Sequence, residues 1–356
     1  MFDLFKVSTT PLVGIDISSS TIKVLEITKV QDKYCVDTYG IELLPAQSII
    51  EKNIKAVDKV AEVIRKLIKQ AGVVQKFAAL GVAGSSVITR IIQMNSGYSD
   101  EQVAEQIEIE ADRYIPYPLE EVYYDFEVIG PSSKNSELMD VLLAASRVET
   151  VDTRVAAITE AGLKVTVVDI EALAMERAFA LIADHLPSKG KGNNIALLDI
   201  GATNTVLYVF KNLRIIYNRD QAFGGKHLTD EIQRRYGLSM EEALAAQKFG
   251  GLPEDYTTEV LEPFKETIIQ QVNRALQVFF SSSEETEIHY IILAGGVAIL
   301  PGLDTLIQNK LSIKTFVANP FVDMQVSSKV NKTQLNDDAP GLLIACGLAL
   351  RTFDNE

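Results

Sequence analysis

Two stretches of this chain place a carboxylate at the end of an apolar run and follow it with small, hydroxylated or amide residues. The first is Leu12-Val-Gly-Ile-Asp-Ile-Ser-Ser-Ser-Thr-Ile-Lys23, and the second is Leu198-Asp-Ile-Gly-Ala-Thr-Asn-Thr205. A turn built from small residues lets successive backbone N–H groups point at an anion. In the first stretch the hydroxyls of Ser18, Ser19 and Ser20 add donors, Lys23 brings a mobile point charge, and Gly14 stands two residues before Asp16. Gly201, Ala202, Thr203 and Asn204 form the second turn. Gly201 permits close backbone approach, whereas the Ala202 methyl is a small obstruction. Asp16 and Asp199 can order the water shell of a magnesium ion, which gives up its hydration reluctantly. Either aspartate alone reads more readily as the start of an Asx turn. Two such turns in matching contexts favour the chemistry of holding a triphosphate with its magnesium.

Three further motifs bear on the same ligand. Ala294-Gly-Gly-Val-Ala298 follows a strand pattern and precedes a helical one, so Gly295, Gly296 and Val297 allow the main chain close to a flat or anionic group. Phe223-Gly-Gly-Lys-His-Leu-Thr-Asp-Glu231 pairs glycines with a helix start. There Gly224, Gly225, Lys226 and Glu231 are candidates for the ribose or base, with an ordinary exposed helix face as the alternative. Asp169-Ile-Glu-Ala172 lies where a strand pattern gives way to a helix. Glu171, and after it Asp169, are the candidates for ordering an attacking water; the helix dipole also favours acids there for stability alone.

The elements that must position these residues follow from periodicity. Residues 12–17 and 22–28 read as strands joined by the small-residue turn. Ile54, Val57, Val60, Ala61, Ile64, Leu67 and Ile68 recur at helical spacing, with Gly72 as the stop. Residues 77–82 and 87–92 are expected to be a further strand pair around Gly84-Ser-Ser86. The composition changes at about residue 97, and residues 97–165 read as an inserted α/β subdomain. In it, Ser99-Asp-Glu-Gln102 is a capping box, Pro116 and Pro118 end the helix, and strands at 123–129 and 139–145 flank a polar loop at 131–137. A helix at 150–161 and a strand at 163–168 complete it. Residues 172–182 are helical, and residues 187–194 are rich in glycine and polar residues, so they read as a linker between halves. The second half repeats the opening plan at 195–200, 206–210 and 213–217, continues with a long helix at 258–280, and returns to strands at 288–293 and 314–317. Residues 339–350 form an apolar helix expected to return to the first half. The divisions are a first lobe of 1–96 and 166–190 carrying the insert, and a second lobe of 191–220 and 288–338 carrying a helical subdomain at 221–287. The C-terminal return occupies 339–356.

Composition narrows the function. The chain has 356 residues, 47% hydrophobic and 23% charged, which suits a soluble protein of two or more domains. A formal charge of −14 opposes general nucleic-acid binding. No apolar run reaches the roughly 18 to 20 residues that span a bilayer. The N-terminal Met-Phe-Asp-Leu-Phe-Lys6 carries an acid where a signal peptide needs bases, so a cytoplasmic location is expected. Cys35 and Cys346 are too few for a disulfide framework, and His185, His227 and His289 lack metal-ligand spacing.

On these motifs the chain resembles the actin-like ATPase superfamily, and within it the PilM family of type IV pilus assembly proteins, with the FtsA family as near kin. The resemblance runs from Val7 to Arg351. It rests on the opening motif, Ala111-Asp-Arg-Tyr-Ile-Pro-Tyr-Pro118, Tyr123-Tyr-Asp-Phe126, Val168-Asp-Ile-Glu-Ala-Leu-Ala174, Phe223-Gly-Gly225 and Leu293-Ala-Gly-Gly296. It implies an α/β fold of two lobes built on duplicated ribonuclease-H-like domains, with an FtsA-type subdomain inserted in the first lobe. It further implies ATP and magnesium binding, hydrolysis that is slow at most, and docking of the cytoplasmic N-terminal tail of the inner-membrane protein PilN beside the insert. The role would be a cytoplasmic scaffold, held at the inner membrane through partners, that links nucleotide state to pilus assembly and twitching motility. Other motor or platform proteins and self-association fit the same role.

Tyr114, Ile115, Pro116, Tyr117, Tyr123 and Tyr124 concentrate rigid amphipathic surface in the insert, material that holds a peptide and that equally builds a subdomain core. FtsA ends in a membrane-binding amphipathic tail, whereas this chain closes on the short acidic Arg351-Thr-Phe-Asp-Asn-Glu356, poorly suited to anionic lipid. An FtsA-like filament former is the alternative. A small-metabolite kinase is a third reading, although no acceptor-binding motif stands out.

Overall fold

The computed structural model describes residues 11–132 and 135–353. The N-terminal hexapeptide, the centre of the 131–137 loop and the last three residues of the acidic ending lie outside it. Contacts divide the chain into two units. One comprises residues up to Arg177 with Met324–Val330 and the chain from Ile344 onward; the other comprises Ala178–Asp323 and Asn331–Leu343.

In the first unit the chain runs β1 (Leu12–Ile17), β2 (Thr21–Val30), β3 (Lys33–Leu43), a short hairpin β4 (Ile49–Ile50) and β5 (Asn53–Ile54), α1 (Val57–Ala71), β6 (Phe77–Val82), β7 (Val87–Asn95), α2 (Asp100–Tyr114), β8 (Val122–Pro131), β9 (Leu138–Arg147), α3 (Val148–Glu160), β10 (Lys164–Ile170) and the start of α4 (Glu171–Ala183). In the second it runs β11 (Asn194–Ile200), β12 (Thr205–Lys211), β13 (Arg214–Gln221), α5 (Lys226–Tyr236), α6 (Met240–Phe249), α7 (Glu262–Ser282), β14 (Tyr290–Ala294), α8 (Leu303–Leu311) and β15 (Lys314–Val317). A short β16 (Gln325–Val326), α9 (Lys332–Asp338) and α10 (Leu343–Ala349) end the chain.

The main sheets are two copies of one design. The first has the order β10-β6-β1-β2-β3-β16, the second β13-β12-β11-β14-β15. In each, three sequential strands form an antiparallel meander, and two later strands add in parallel beside the first. The register repeats too. Asp16 lies opposite Lys23, and Asp199 lies opposite Val206. A bulge follows Glu26 in one meander and Val209 in the other, three residues past those partners in both cases. The duplication read from two aspartate turns therefore extends across both sheets, while Lys23 has an apolar counterpart, Val206.

Amphipathic helices cover these sheets. Val60, Ala61, Ile64 and Leu67 of α1 turn one stripe onto the first sheet, and Gly72 ends the helix in the left-handed conformation at φ 73°. In the second unit, Phe264, Ile268, Val272, Ala275 and Phe279 of α7 pack on Leu198, Leu207 and Leu293. The helix expected over 258–280 is preceded by a π-helical turn at Thr257–Leu261. Pro263 supplies the reason, because it has no N–H to give to the carbonyl four residues back.

Three expectations change. Residues 77–82 and 87–92 are not a strand pair: β6 lies between β1 and β10 in parallel, whereas β7 pairs β9 from Val87–Ser146 to Asn95–Leu138. The almost wholly buried apolar run of β6 suits a central parallel strand, and β7 exposes several of its side chains. Second, the insert's own sheet is β7-β9-β8, covered by α2, with a core of Ile92, Val103, Ile107, Val141 and Leu143. The helix and strand expected to complete the insert instead serve the main sheet: Val151, Ala157 and Ile158 of α3 join its core, and β10 is its edge strand. Third, residues 187–194 hold an ordered 3-10 turn, Pro187–Gly190, with Gly190 buried in the second unit. The capping box at Ser99 and the helix end before Pro116 are as expected.

Candidate functional site

The first site is built by strand register. β1 is buried along its whole length and carries Asp16, 4% exposed, one residue before its end. A bond from the Ser18 N–H to the Thr21 carbonyl (2.9 Å) closes the turn, and the antiparallel return puts Lys23 across from Asp16. Lys23 Nζ donates to Asp16 Oδ2 at 2.8 Å and to Ser18 Oγ at 3.1 Å. Ser18 Oγ lies 2.9 Å from both Asp16 oxygens. Ser19 and Ser20 are half-buried beside them. The result is a cation, an anion and hydroxyls at the carboxyl end of a strand in a mostly parallel α/β sheet, the end where such sheets place ligands. Gly14 serves packing: a Cβ there would stand 2.3 Å from the Ala345 carbonyl oxygen.

The end of β10, which lies beyond β6 from β1, and the start of α4 add the two acids of the 169–171 motif. Asp169 is 1% exposed, accepts the Ile170 N–H at 2.7 Å, and is ion-paired with Arg177 and, at 3.6 Å, with Arg351 Nε. Arg177 Nε also donates to the Gly347 carbonyl, so Asp169 ties β10 and α4 to the C-terminal segment. Glu171 opens α4 half-buried, its Cγ against the backbone of Gly81.

The second site assembles three loops of the second unit. At the end of β11, Gly201 N–H donates to the Asn204 carbonyl at 2.9 Å, Thr203 Oγ1 donates to Asn204 Oδ1, and Asn204 Nδ2 donates to Asp220 Oδ1. The glycine pair packs beneath this turn. A Cβ on Gly224 would be 2.5 Å from the Gly201 carbonyl oxygen, and the N–H groups of Gly225 and Lys226 donate to the carbonyls of Gly201 (2.9 Å) and Ala202 (2.7 Å). The 294–297 loop closes the other side. Gly295, at φ +82°, leaves no room for a side chain, since a Cβ would be 2.4 Å from Ile200 O and 2.6 Å from Asp199 Oδ1. Val297 N–H donates to Ile200 O at 3.2 Å, and its side chain abuts Gly225. Gly296 is exposed with open space around its Cα. Thus Asp199, the 201–204 turn, Gly224, Gly225, Gly295 and Val297 meet. Lys226 and Glu231 turn to neighbours on their own helix: Lys226 pairs with Asp230 at 2.6 Å, and Arg234 beside Glu231 holds its carboxyl below the usual range.

No cluster of three or more His, Cys, Asp or Glu side chains suited to a bare metal ion occurs among the described residues. Lone carboxylates at strand ends suit a hydrated magnesium ion better than a dehydrated one.

In the insert, Ile115 is core at 2% exposure, and Tyr114, Tyr117 and Tyr124 pack partly against that core. Tyr124 donates to Glu108 at 3.0 Å, and burial with that acceptor pushes its phenol up to about 12. Tyr123 donates to Asp152 at 3.1 Å, and Pro116 is exposed. Tyr117 carries the Arg147 guanidinium over its ring at 4.3 Å. These two residues line a cavity of about 260 Å³ within the first unit, together with Asn53, Ser85, Ser86 and Thr150. Sequence reasoning selected Tyr117 but not the other residues that line this cavity. It also missed Arg154, a buried cation on α3 on whose charge Asp16 and Glu171 act. The signal lay in periodicity: Arg154 stands on the apolar stripe of Val151 and Ile158.

No helix among the described residues is long and apolar enough to cross a membrane. The structure is similar to that of a PilM–PilN type IV pilus biogenesis complex, with a TM-score of 0.80 and 26% identity over 97% of this chain and 99% of that one. It shares its fold with the ethanolamine utilization protein EutJ from Carboxydothermus hydrogenoformans, at TM-score 0.55 and 16% identity over 97% and 92%. The cell division protein FtsA of Bacillus subtilis (strain 168) is 25% identical over 353 residues, 86% of this chain and 78% of that protein. Residues 14–353 match the family described as type IV pilus assembly protein PilM, from before the first aspartate turn to the last described residue. With its duplicated sheets, its insert and both turns inside that match, the chain belongs to the PilM family and has the two-lobed, actin-like fold.

Proposed function

We propose that this protein is an ATP-binding scaffold of the type IV pilus machine that docks the cytoplasmic N-terminal tail of PilN and changes its hold on that tail with nucleotide state. The observation that carries the reading is the likeness to the PilM–PilN complex over nearly the whole of both chains. Ser18, Ser19, Ser20 and Lys23 would hold phosphate oxygens. Asp16 in the first unit and Asp199 in the second are each candidates to hold magnesium-bound water, and Gly201, Ala202, Thr203 and Asn204 would offer their turn to an anion. Gly224, Gly225, Gly295, Gly296 and Val297 would shape the nucleoside side, with Lys226 and Glu231 at its edge. Bound there, the nucleotide would supply concentrated negative charge. The Lys23–Asp16 pair fits it, because a cation already desolvated beside a carboxylate can exchange that partner for phosphate while the carboxylate takes magnesium-bound water. Glu171, half-buried at the start of α4, rather than the fully buried Asp169, is the acid to orient a water, and turnover is slow.

The cavity beside the insert suits a short extended peptide. Ser85, Ser86 and Asn53 offer hydrogen bonds to a backbone, Val87 and Val122 offer an apolar floor, and the Arg147–Tyr117 stack offers a rigid wall. Association with the inner membrane would then run through the partner.

Calorimetry of the full chain tests both parts. Asp16→Ala and Asp199→Ala should each weaken ATP binding by about tenfold or more, some 1.4 kcal/mol, with folding retained. Unchanged affinity in both variants removes the nucleotide assignment. A synthetic PilN tail should bind the wild type and bind Arg147→Ala weakly; no binding at high micromolar concentration removes the docking assignment. The identity to FtsA supports polymerisation as a second reading, for which ATP-dependent sedimentation is the decisive readout.

A further inference from the structure

The negative charge of this chain is concentrated. Residues 87–147, which hold α2 and the insert's own sheet, carry twelve Asp and Glu against four Lys and Arg, more than half of the net charge of −14. Two of these acids, with a third just beyond, gather at one end of the β8–β9 pair. The ladder there stops at Val122 opposite Arg147. Glu120 and Glu121 precede Val122 in a 3-10 turn, and Glu149 follows Arg147 in the first turn of α3, so all three leave the sheet at the same end. Each is exposed, and none has an ion-pair partner among the described residues. The α3 dipole favours an acid at Glu149 but gives no reason for the other two.

This acidic lip borders the cavity beside the insert. Val122 and Arg147, the last pair of the ladder, line that cavity, as does Thr150, the residue after Glu149. Arg147, the cation of the lining, lies over the Tyr117 ring at 4.3 Å and forms no ion pair with the lip. All of these residues lie in the first unit. Carboxylates gathered at the rim of a cleft focus a negative potential at its mouth. The cytoplasmic flanks of membrane-spanning helices carry the opposite charge, an excess of Lys and Arg.

We infer that the cavity takes a peptide whose apolar part is flanked by basic residues, and that Glu120, Glu121 and Glu149 receive those bases. This rests on the docking proposed above and adds the chemistry of what docks. The contact is at a wet rim, so it governs the rate of encounter and its salt dependence more than the lifetime of the complex. It also gives direction: a membrane protein's tail has its bases on the side nearest the span, so the lip fixes which way the chain runs through the cavity.

The test follows binding of a fluorescent synthetic PilN tail to the full chain by stopped flow. Raising salt from about 50 to about 500 mM should slow association with the wild type by about tenfold. Glu120→Gln, Glu121→Gln and Glu149→Gln together keep side-chain size, and should slow association by about fivefold or more at low salt while dissociation changes less than about twofold. A charge-matched control, Glu105→Gln, Glu127→Gln and Glu137→Gln, removes three exposed acids from elsewhere in the insert and should stay within about twofold of wild type. A tail with its Lys and Arg replaced by Gln should associate with the wild type and the lip variant at one rate. Equal slowing by the lip variant and the control, or association that ignores salt, overturns the inference and leaves the proposed docking standing. A Gln-substituted tail that associates as fast as the natural one also overturns it. No binding of the natural tail to the wild type overturns the docking itself and the inference with it.

Discussion

Gly295→Ala probes the packing of the second site directly. The residue sits at φ +82°, and its missing Cβ would lie 2.4 Å from Ile200 O and 2.6 Å from Asp199 Oδ1. Forcing an L residue into the left-handed region costs about 1 to 2 kcal/mol. A methyl driven into backbone that cannot yield adds about 1 to 3 kcal/mol of overpacking. The sum, roughly 2 to 5 kcal/mol, is a large part of the roughly 5 to 15 kcal/mol that holds a typical domain folded. Gly296→Ala is the built-in control, since a Cβ there has nothing within 4 Å. In urea denaturation the Gly295 variant should lose stability on that scale, while the Gly296 variant stays within about 0.5 kcal/mol of wild type. Because the clash falls on Asp199, the Gly295 variant should also bind ATP less tightly. Equal midpoints for the two variants would refute the claim that the 294–297 loop is wedged against the Asp199 turn.

Two further outcomes follow from single residues. Glu26 is buried and accepts the N–H groups of Val74 (2.9 Å) and Gln75 (2.6 Å); burial nonetheless raises its pKa above the ordinary 4.5. The folded state therefore holds this proton more tightly than the unfolded one, so its contribution is intact below about pH 4.5 and declines as pH rises through the folded value. Glu26→Gln keeps an acceptor oxygen and should abolish that decline, measured as denaturation midpoints from pH 4 to 7. Ser99 accepts the Gln102 N–H while Gln102 returns a bond to the Ser99 N–H, so Ser99→Ala should cost about 1 kcal/mol and speed amide exchange in the first turn of α2.

Several features were legible in the sequence because their causes are local. The Asp16 and Asp199 turns, the Ser99 capping box, the Gly72 stop and the helix end before Pro116 all depend on residues within a few positions of one another. The partners of strands 77–82 and 87–95 were not legible, since an apolar run does not say which distant strand lies beside it. The packing of α3 was not legible for the same reason: it carries an amphipathic stripe that fits either core, and only the fold assigns it to the main sheet.

The candidate site divides the same way. Type and spacing in the chain alone determined that two hairpin turns with carboxylates and small residues recur, and that glycine pairs precede two helices. Tertiary structure alone decided that Gly224 and Gly295 are spaces into which the Asp199 turn packs, that Asp169 is spent on Arg177 and Arg351, and that Arg154 lies buried with its guanidinium on the Lys52 carbonyl. The physical reason is range. Backbone torsion and capping act over a few bonds and are written in neighbouring residues, whereas close approach and the balance of buried charge depend on atoms that only the folded chain brings within a few ångströms.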